Sequence, residues 1–313
     1  MLTVLFSAPY MIPSLDRFRP VLEKHGLDLI VPQVVERLSE EELLDYAGKF
    51  DGTICGDDRY TARVLAACVP RLKVISKWGT GIDSIDQDAA RRLGVQVCRT
   101  VNAFTLPVTD TVMGYMLSFV RRLPWMDRAV KSGTWEKMPG RSLSECCLGV
   151  VGVGNIGKAV LRRAHAFGMR LLGNDILEIA PDFIAETGVR MCSLDELLSQ
   201  ADFVSLHPDL NPTSWHLMNA HTFRLMKPGA VLINTSRGPV VDENALVEAL
   251  STGVISGAAL DVYENEPIPA ISPLLSMGNV MLAPHNANSS PAAWERVHAN
   301  TIRNLFLGLG IQE

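Results

Sequence analysis

The chain has 313 residues, 47% of them apolar and 20% charged, a balance that suits packed globular domains and argues against disorder. The net charge of −5 leaves no general basic field, so neither nucleic acid nor an anionic membrane is expected as a partner. No apolar stretch reaches the length of a membrane span, and the start, MLTVLFSAPYMIPSLD, lacks the basic n-region of a signal peptide, so a cytoplasmic protein is expected.

Short apolar runs alternate with amphipathic stretches, the pattern of repeated βα units and parallel sheets. In the first part, strands are predicted at Thr3–Ser7, Leu27–Val31, Asp51–Cys55, Lys73–Ser76 and Val95–Cys98. Helices are predicted between them at Leu15–His25, Glu40–Ala47 and Thr61–Cys68, with Ser39 and Glu42 as a capping box. This is enough for one flavodoxin-like α/β domain. Leu106 to Val130 reads as a long helical stretch with a break near Pro124. A second α/β series starts at Cys147, with strands at Leu148–Val151, Arg170–Asn174, Phe203–Leu206, Val231–Asn234, Gly257–Asp261 and Val280–Ala283. The stretch from Pro291 to Leu307 is again helical, and no regulatory domain is expected after it.

Six cysteines, at 55, 68, 98, 146, 147 and 192, form no C-x-x-C pair and no Cys/His cluster with zinc spacing. They read as buried reduced thiols, and no metal is expected.

The run LGVVGVGNIGKAV contains Gly152-x-Gly154-x-x-Gly157 after an apolar strand and before an amphipathic helix. Gly152 permits a tight turn, Gly154 lets a pyrophosphate approach the backbone, and Gly157 lets the helix pack closely on the strand. The free N–H groups at the helix start then favour phosphate. Asp175 ends the next strand, eighteen residues after Gly157, where a carboxylate binds the ribose hydroxyls of NAD and repels the 2′-phosphate of NADP. The following ILEIAPD contains no Arg to offset that repulsion. A solvated strand-end acid is the plainer reading of Asp175 taken alone. These features predict a Rossmann NAD-binding domain beside the flavodoxin-like one.

Three later segments place polar groups at the ends of predicted strands: NTSRG around Arg237, DVYENEP around Glu266 and APHNA around His285. Together with KWGTGIDSID (77–86), VGVGNIG (151–157), INTSRGPVVDENAL (233–246), GAALDVYENEP (257–267) and LAPH (282–285), they make the chain resemble the D-isomer-specific 2-hydroxyacid dehydrogenases, which include phosphoglycerate dehydrogenases and glyoxylate/hydroxypyruvate reductases. The resemblance implies a catalytic trio of Arg237, Glu266 and His285, and the chemistry agrees. Planar, permanently charged guanidinium binds a 2-keto acid's carboxylate and polarises its carbonyl. An imidazole donates the proton that the reduced oxygen needs, and a neighbouring carboxylate supports the imidazolium. Taken singly, Arg237 and Glu266 could be surface charges and His285 a satisfied core histidine.

The resemblance further implies that the loop Gly79, Thr80 and Gly81 holds the substrate carboxylate, and that Asn155, Ile156, Thr235, Ser236 and Asp261 contact cofactor. Pro208 stands one residue earlier than in relatives. Lys77 lies beside the glycine loop and is the candidate to receive a second anionic group such as a phosphate, with a solvated strand-end lysine as the alternative. Trp78 could be a core aromatic. The family fold has two domains with the active site between them: a substrate domain over residues 1–98 and 286–313, and an NAD-binding domain over 99–285. Relatives are usually homodimers joined through the stretch from Leu106 to Val120. Two other functions share this fold, a non-catalytic NAD-sensing corepressor and phosphonate oxidation. The first would show no turnover of keto acids, and the second has a lysine where Thr80 stands here.

Overall fold

The computed structural model describes residues 1–312. The chain divides into two compact units, one of residues 1–104 and 289 onward, the other of residues 105–288. In the first unit β1 (Leu2–Phe6), α1 (Leu15–Lys24), β2 (Leu27–Ile30), α2 (Glu40–Leu44), β3 (Gly52–Cys55), α3 (Ala62–Cys68), β4 (Val74–Lys77), α4 (Gln87–Arg92) and β5 (Gln96–Cys98) follow one another. The five strands are all parallel in the order β2-β1-β3-β4-β5, the flavodoxin-like arrangement. Ser39 and Glu42 form the expected capping box at α2.

The second unit opens with α5 (Thr105–Arg121) and α6 (Leu123–Lys131). The break expected near Pro124 is present and falls at Arg122, which is left-handed with φ +55. Pro124 lies in the first turn of α6, where no N–H is needed, so it is no obstacle to that helix. Then follow β6 (Cys147–Val151), α7 (Asn155–Ala166), β7 (Arg170–Asn174), α8 (Pro181–Thr187), β8 (Arg190–Met191), α9 (Leu194–Gln200), β9 (Phe203–Leu206), α10 (Ala220–Leu225), β10 (Val231–Asn234), α11 (Glu243–Ser251), β11 (Gly257–Leu260) and β12 (Val280–Leu282). The seven strands are parallel in the order β12-β11-β10-β9-β6-β7-β8. The last helix, α12 (Pro291–Leu309), belongs to the first unit, where Ser76 Oγ donates to the Thr301 carbonyl at 2.8 Å.

The central strands are buried along their whole length, which is why they read as apolar runs. Alternate residues of one strand feed different cores: Cys147 and Val151 join Leu197, Phe223 and Leu246, while Leu148 and Val150 join Val112, Met116 and Leu161. Strand side chains alternate between faces, so the second sheet is covered on both. Among the described residues no helix is long and apolar enough to cross a membrane.

Candidate active site

In the second sheet the strand order reverses between β6 and β9, and a crevice outside the carboxyl ends of the strands at such a point is where open α/β sheets take ligands. Gly152 sits there with φ +87, and a Cβ on it would stand 2.6 Å from both the His207 carbonyl carbon and the Pro208 nitrogen. The glycine loop is therefore pressed onto the chain leaving β9. A Cβ on Gly157 would stand 2.1 Å from the Gly152 carbonyl oxygen, so only glycine lets α7 begin this close to the loop. Around a Cβ position on Gly154 no heavy atom lies within 4 Å, which leaves that backbone approachable. Helix α7 starts at Asn155 and Ile156 with no side-chain cap on its first N–H groups, so they remain to serve an anion.

Asp175 follows β7 and is not a solvated acid. Its Oδ2 accepts from the Val153 N–H at 2.6 Å and its Oδ1 from the Leu177 N–H at 2.8 Å, which fixes the carboxylate against the glycine loop. After β9, His207 Nε2 lies 2.8 Å from Ser205 Oγ, while its Nδ1 is buried without a partner. Burial pushes this imidazole down to about 3, so it stays neutral. Thr235 Oγ1, after β10, is likewise buried and unpartnered. Ordinarily such atoms are satisfied, so two orphans around one crevice mark places for a polar ligand.

The catalytic candidates leave the same edge of the sheet. Arg237 follows β10, and its Nη1 donates to the Ser236 carbonyl at 2.8 Å. The loop beneath it is organised by Asn234, the last residue of β10, whose side chain is buried. Its amide oxygen accepts from Ser236 N–H at 3.0 Å and Ser236 Oγ at 2.8 Å, and its Nδ2 donates to the Arg237 carbonyl at 2.9 Å. Glu266 and His285 meet: Glu266 Oε2 lies 3.0 Å from His285 Nδ1. The other carboxylate oxygen accepts from the Tyr263 N–H at 3.0 Å. A carboxylate at Nδ1 favours the proton on that nitrogen.

His285 is itself left-handed, with φ +50. Its turn is tied down by Asp261: the His285 N–H donates to the Asp261 carbonyl at 2.8 Å, and the Asp261 carboxylate accepts from Asn286 and Ala287 N–H at 2.7 and 2.9 Å. Burial pushes this carboxyl up, against the pull of the two N–H groups. Asp261 thus positions His285, with both carboxylate oxygens engaged in that task.

In the first unit, Gly79 (φ +112) follows β4. Its carbonyl accepts from the Thr100 N–H at 2.8 Å, and the Thr80 hydroxyl donates to the Thr100 carbonyl at 2.7 Å, which pins the Gly79–Gly81 loop. Lys77 is not a solvated charge. It is buried, its Nζ lies 3.1 Å from Asp57 Oδ1 and 3.0 Å from the Trp78 carbonyl, and a Cβ on Gly79 would come within 3.8 Å of it. The ammonium does reach the glycine loop, but its charge is already answered. Trp78 is buried, and its Nε1 donates to His298 Nδ1 at 2.9 Å, so it is a core aromatic.

A model of the D-isomer specific 2-hydroxyacid dehydrogenase NAD-binding domain matches residues 113–287. The chain is 40% identical to a glyoxylate reductase of Korarchaeum cryptofilum over 80% of its own length and 76% of the relative's. It is 37% identical to a D-3-phosphoglycerate dehydrogenase of Methanocaldococcus jannaschii over 83% of its length, though it spans only 50% of that protein. Its fold superposes on the crystal structure of D-lactate dehydrogenase from Aquifex aeolicus complexed with NAD and lactic acid with a TM-score of 0.85 and 30% identity, over 96% of this chain and 93% of that one. The chain belongs to the D-isomer specific 2-hydroxyacid dehydrogenase family.

As a member of that family it is an NAD-dependent dehydrogenase. The residues present fit the cofactor: an approachable Gly154, uncapped N–H groups at Asn155 and Ile156, a fixed Asp175 carboxylate, and two unpartnered polar atoms on His207 and Thr235. Sequence reasoning passed over the residues that hold the dehydrogenase's loops in place, above all Asn234, Tyr263 and Asp57. The one available signal was the position of Asn234, a polar side chain closing an otherwise apolar strand.

Proposed function

We propose that the protein interconverts a small 2-keto acid and its D-2-hydroxy acid, with Arg237, Glu266 and His285 as the working side chains. The observation that carries this reading is the Glu266–His285 contact of 3.0 Å on the strand edge that also bears Arg237. NAD, when bound, accepts or supplies the hydride at C2. Gly152, Gly154, Asn155, Ile156 and Gly157 would receive its pyrophosphate, Asp175 a ribose, and Pro208, Thr235, Ser236 and Asp261 border the same crevice. Arg237 binds the substrate carboxylate and draws charge toward the carbonyl oxygen as it becomes an alkoxide. For Gly79, Thr80 and Gly81, in the first unit, the proposed part is the one that the family resemblance implies, backbone N–H groups for a carboxylate. His285 gives its Nε2 proton to that oxygen in reduction and takes it back in oxidation, while Glu266 steadies the charged ring.

For the substrate we favour glyoxylate or hydroxypyruvate over phosphorylated keto acids. Lys77 is the cation that the sequence offers for a second anionic group, and Asp57 lies 3.1 Å from its Nζ. The 40% identity to a glyoxylate reductase supports the same choice. A homodimer is proposed as well, supported by the exposed apolar side chains of Leu106, Leu123, Val130 and Trp135, the last 88% exposed. Light scattering of the eluting peak gives the mass that decides it. Six free cysteines support a cytoplasmic setting.

The test is a panel of glyoxylate, hydroxypyruvate and 3-phosphohydroxypyruvate with NADH, run on the parent and on His285→Ala. The parent should turn over the first two best, and the variant should lose roughly 10²–10⁴-fold in kcat with NADH binding intact. No turnover of any keto acid, or a near-normal kcat in His285→Ala, overturns the reading.

A further inference from the structure

Glu266 lies on a segment, residues 261–267, that belongs to no helix or strand, yet its carboxylate must meet His285 squarely. Something other than the sheet ladder has to hold it. Gly238 packs so tightly on this segment that a Cβ there would stand 1.9 Å from the Tyr263 carbonyl carbon. The Glu264 N–H donates to Glu243 Oε1 at the start of α11. The Glu264 carboxylate in turn meets His216 Nε2, forming a second His–Glu pair two residues from the first.

His216 is built into the fold. It is left-handed (φ +46), a conformation that few residues other than glycine adopt unless their surroundings enforce it. Its N–H donates to the Pro239 carbonyl at 2.8 Å, and its carbonyl accepts from Asn219 Nδ2 at 2.9 Å. Its ring stacks on Trp215 with centroids 4.9 Å apart. Just beyond it, the Met218 N–H donates to the Val240 carbonyl at 3.0 Å and the Asp242 N–H to the Met218 carbonyl at 2.8 Å. The chain around His216 is therefore laced to the loop that follows Arg237, while its imidazole reaches the segment that carries Glu266.

The segment that the strap holds is crowded with acids. Glu243, Glu264 and Glu266 crowd together, and Glu243 is pushed up by burial and then by the two other carboxylates, against the Glu264 N–H. Asp261 adds a fourth acid beside His285. His216 Nε2 is the hydrogen-bond partner of the Glu264 carboxylate. Losing either end of the His216–Glu264 contact would release this segment from the chain around His216.

We propose that His216 and Glu264 are positioning residues that hold Glu266 against His285 and join the Arg237 loop to the Glu266 segment. This rests on the roles given above to Glu266 and His285. The test compares His216→Ala, His216→Gln and Glu264→Ala with the parent, by the pH profile of kcat for keto-acid reduction and by NADH affinity from fluorescence. In His216→Ala, a Glu266 that no longer meets His285 supports the imidazolium less. The alkaline fall in activity should then move to lower pH by about half a unit or more, and kcat at neutral pH should drop about tenfold. NADH affinity should stay within about threefold. Glutamine, which still donates to Glu264, should restore most of both, and Glu264→Ala should behave like His216→Ala even if the latter fails to fold. An alkaline limb that coincides with the parent's in either alanine variant, or a loss that glutamine does not mend, overturns the proposal. His285→Ala in the same assay separates the two ideas: if it is active, the reading of the site fails; if it is inactive while the alanine variants keep the parent's profile, only the strap fails.

Discussion

Replacing Asn234 with alanine should disable substrate handling far more than cofactor binding. The side chain is 1% exposed and makes three hydrogen bonds, at 3.0 and 2.8 Å from Ser236 and 2.9 Å to the Arg237 carbonyl. Each such bond contributes about 0.5–1.5 kcal/mol net, so the variant should lose roughly 2–4 kcal/mol, part of it from leaving the Ser236 N–H without Asn234 and the Arg237 carbonyl with the longer Val240 N–H contact of 3.3 Å. The loop that bears Arg237 would then relax, and a displacement of about 1 Å at a substrate-binding group costs on the order of 10²-fold. Urea denaturation gives the stability change from the midpoint at constant slope, and steady-state kinetics with glyoxylate gives kcat/KM. We expect kcat/KM to fall about a hundredfold with NADH affinity within about threefold of the parent. Asn234→Asp keeps the acceptor for Ser236 but loses the Nδ2 donor, so it should fall between. A variant with the expected loss of stability but a kcat/KM within about threefold of the parent would show that Arg237 holds its place without Asn234.

Three further outcomes follow from the same geometry. NADH should surpass NADPH by about a hundredfold or more in kcat/KM, because the Asp175 carboxylate is pinned by Val153 and Leu177 N–H and cannot swing away from a 2′-phosphate; comparable values for the two cofactors would defeat the ribose assignment. His207, lowered by burial from 6.5 to about 3, is neutral in the folded state and takes up a proton on unfolding, so its contribution is present above pH 6.5 and lost as the pH falls toward 3. Urea midpoints measured across that window should fall more steeply for the parent than for His207→Gln, and parallel curves would refute it. Asp57→Asn frees the Lys77 ammonium and should raise the ratio of kcat/KM for 3-phosphohydroxypyruvate over glyoxylate by about tenfold; an unchanged ratio would mean that Lys77 does not sense the substrate.

Most of the fold was legible because the central strands are covered on both faces and so appear as apolar runs between turn signals. What escaped has local causes. β8 is two residues long, too short for any period to show. The long helical stretch does break near Pro124, but the residue that makes the turn is Arg122, whose left-handed backbone no side-chain chemistry announces. In the site, the residues with an obvious chemical task stood out in their motifs. The hydrogen-bond duties of Asn234 and Asp261 did not, since they depend on the path of the loop and not on residue spacing. Lys77 shows the same limit: a cation beside a glycine loop is visible in the sequence, but the Asp57 that neutralises it comes from the end of a different strand.

A common device runs through these loops. Polar residues at or just past the ends of parallel strands turn their side chains onto backbone groups of the loops beyond. Asn174 donates to the Cys192 carbonyl at 2.9 Å, Asp175 accepts from the glycine loop, Asn234 laces the Arg237 loop, and Asp261 gathers the turn that bears His285. Loops are ordinarily the mobile part of an α/β fold, while acid–base chemistry needs its groups held to within about 0.5 Å. The sheet is the rigid body on this edge, and a side chain rooted in its last residue carries that rigidity one step outward. The cost is that each anchor is a buried polar group that must stay satisfied, and Asp261 shows how: burial raises its carboxyl, and two N–H groups of the turn it holds oppose the rise. The anchor and the loop therefore stabilise each other.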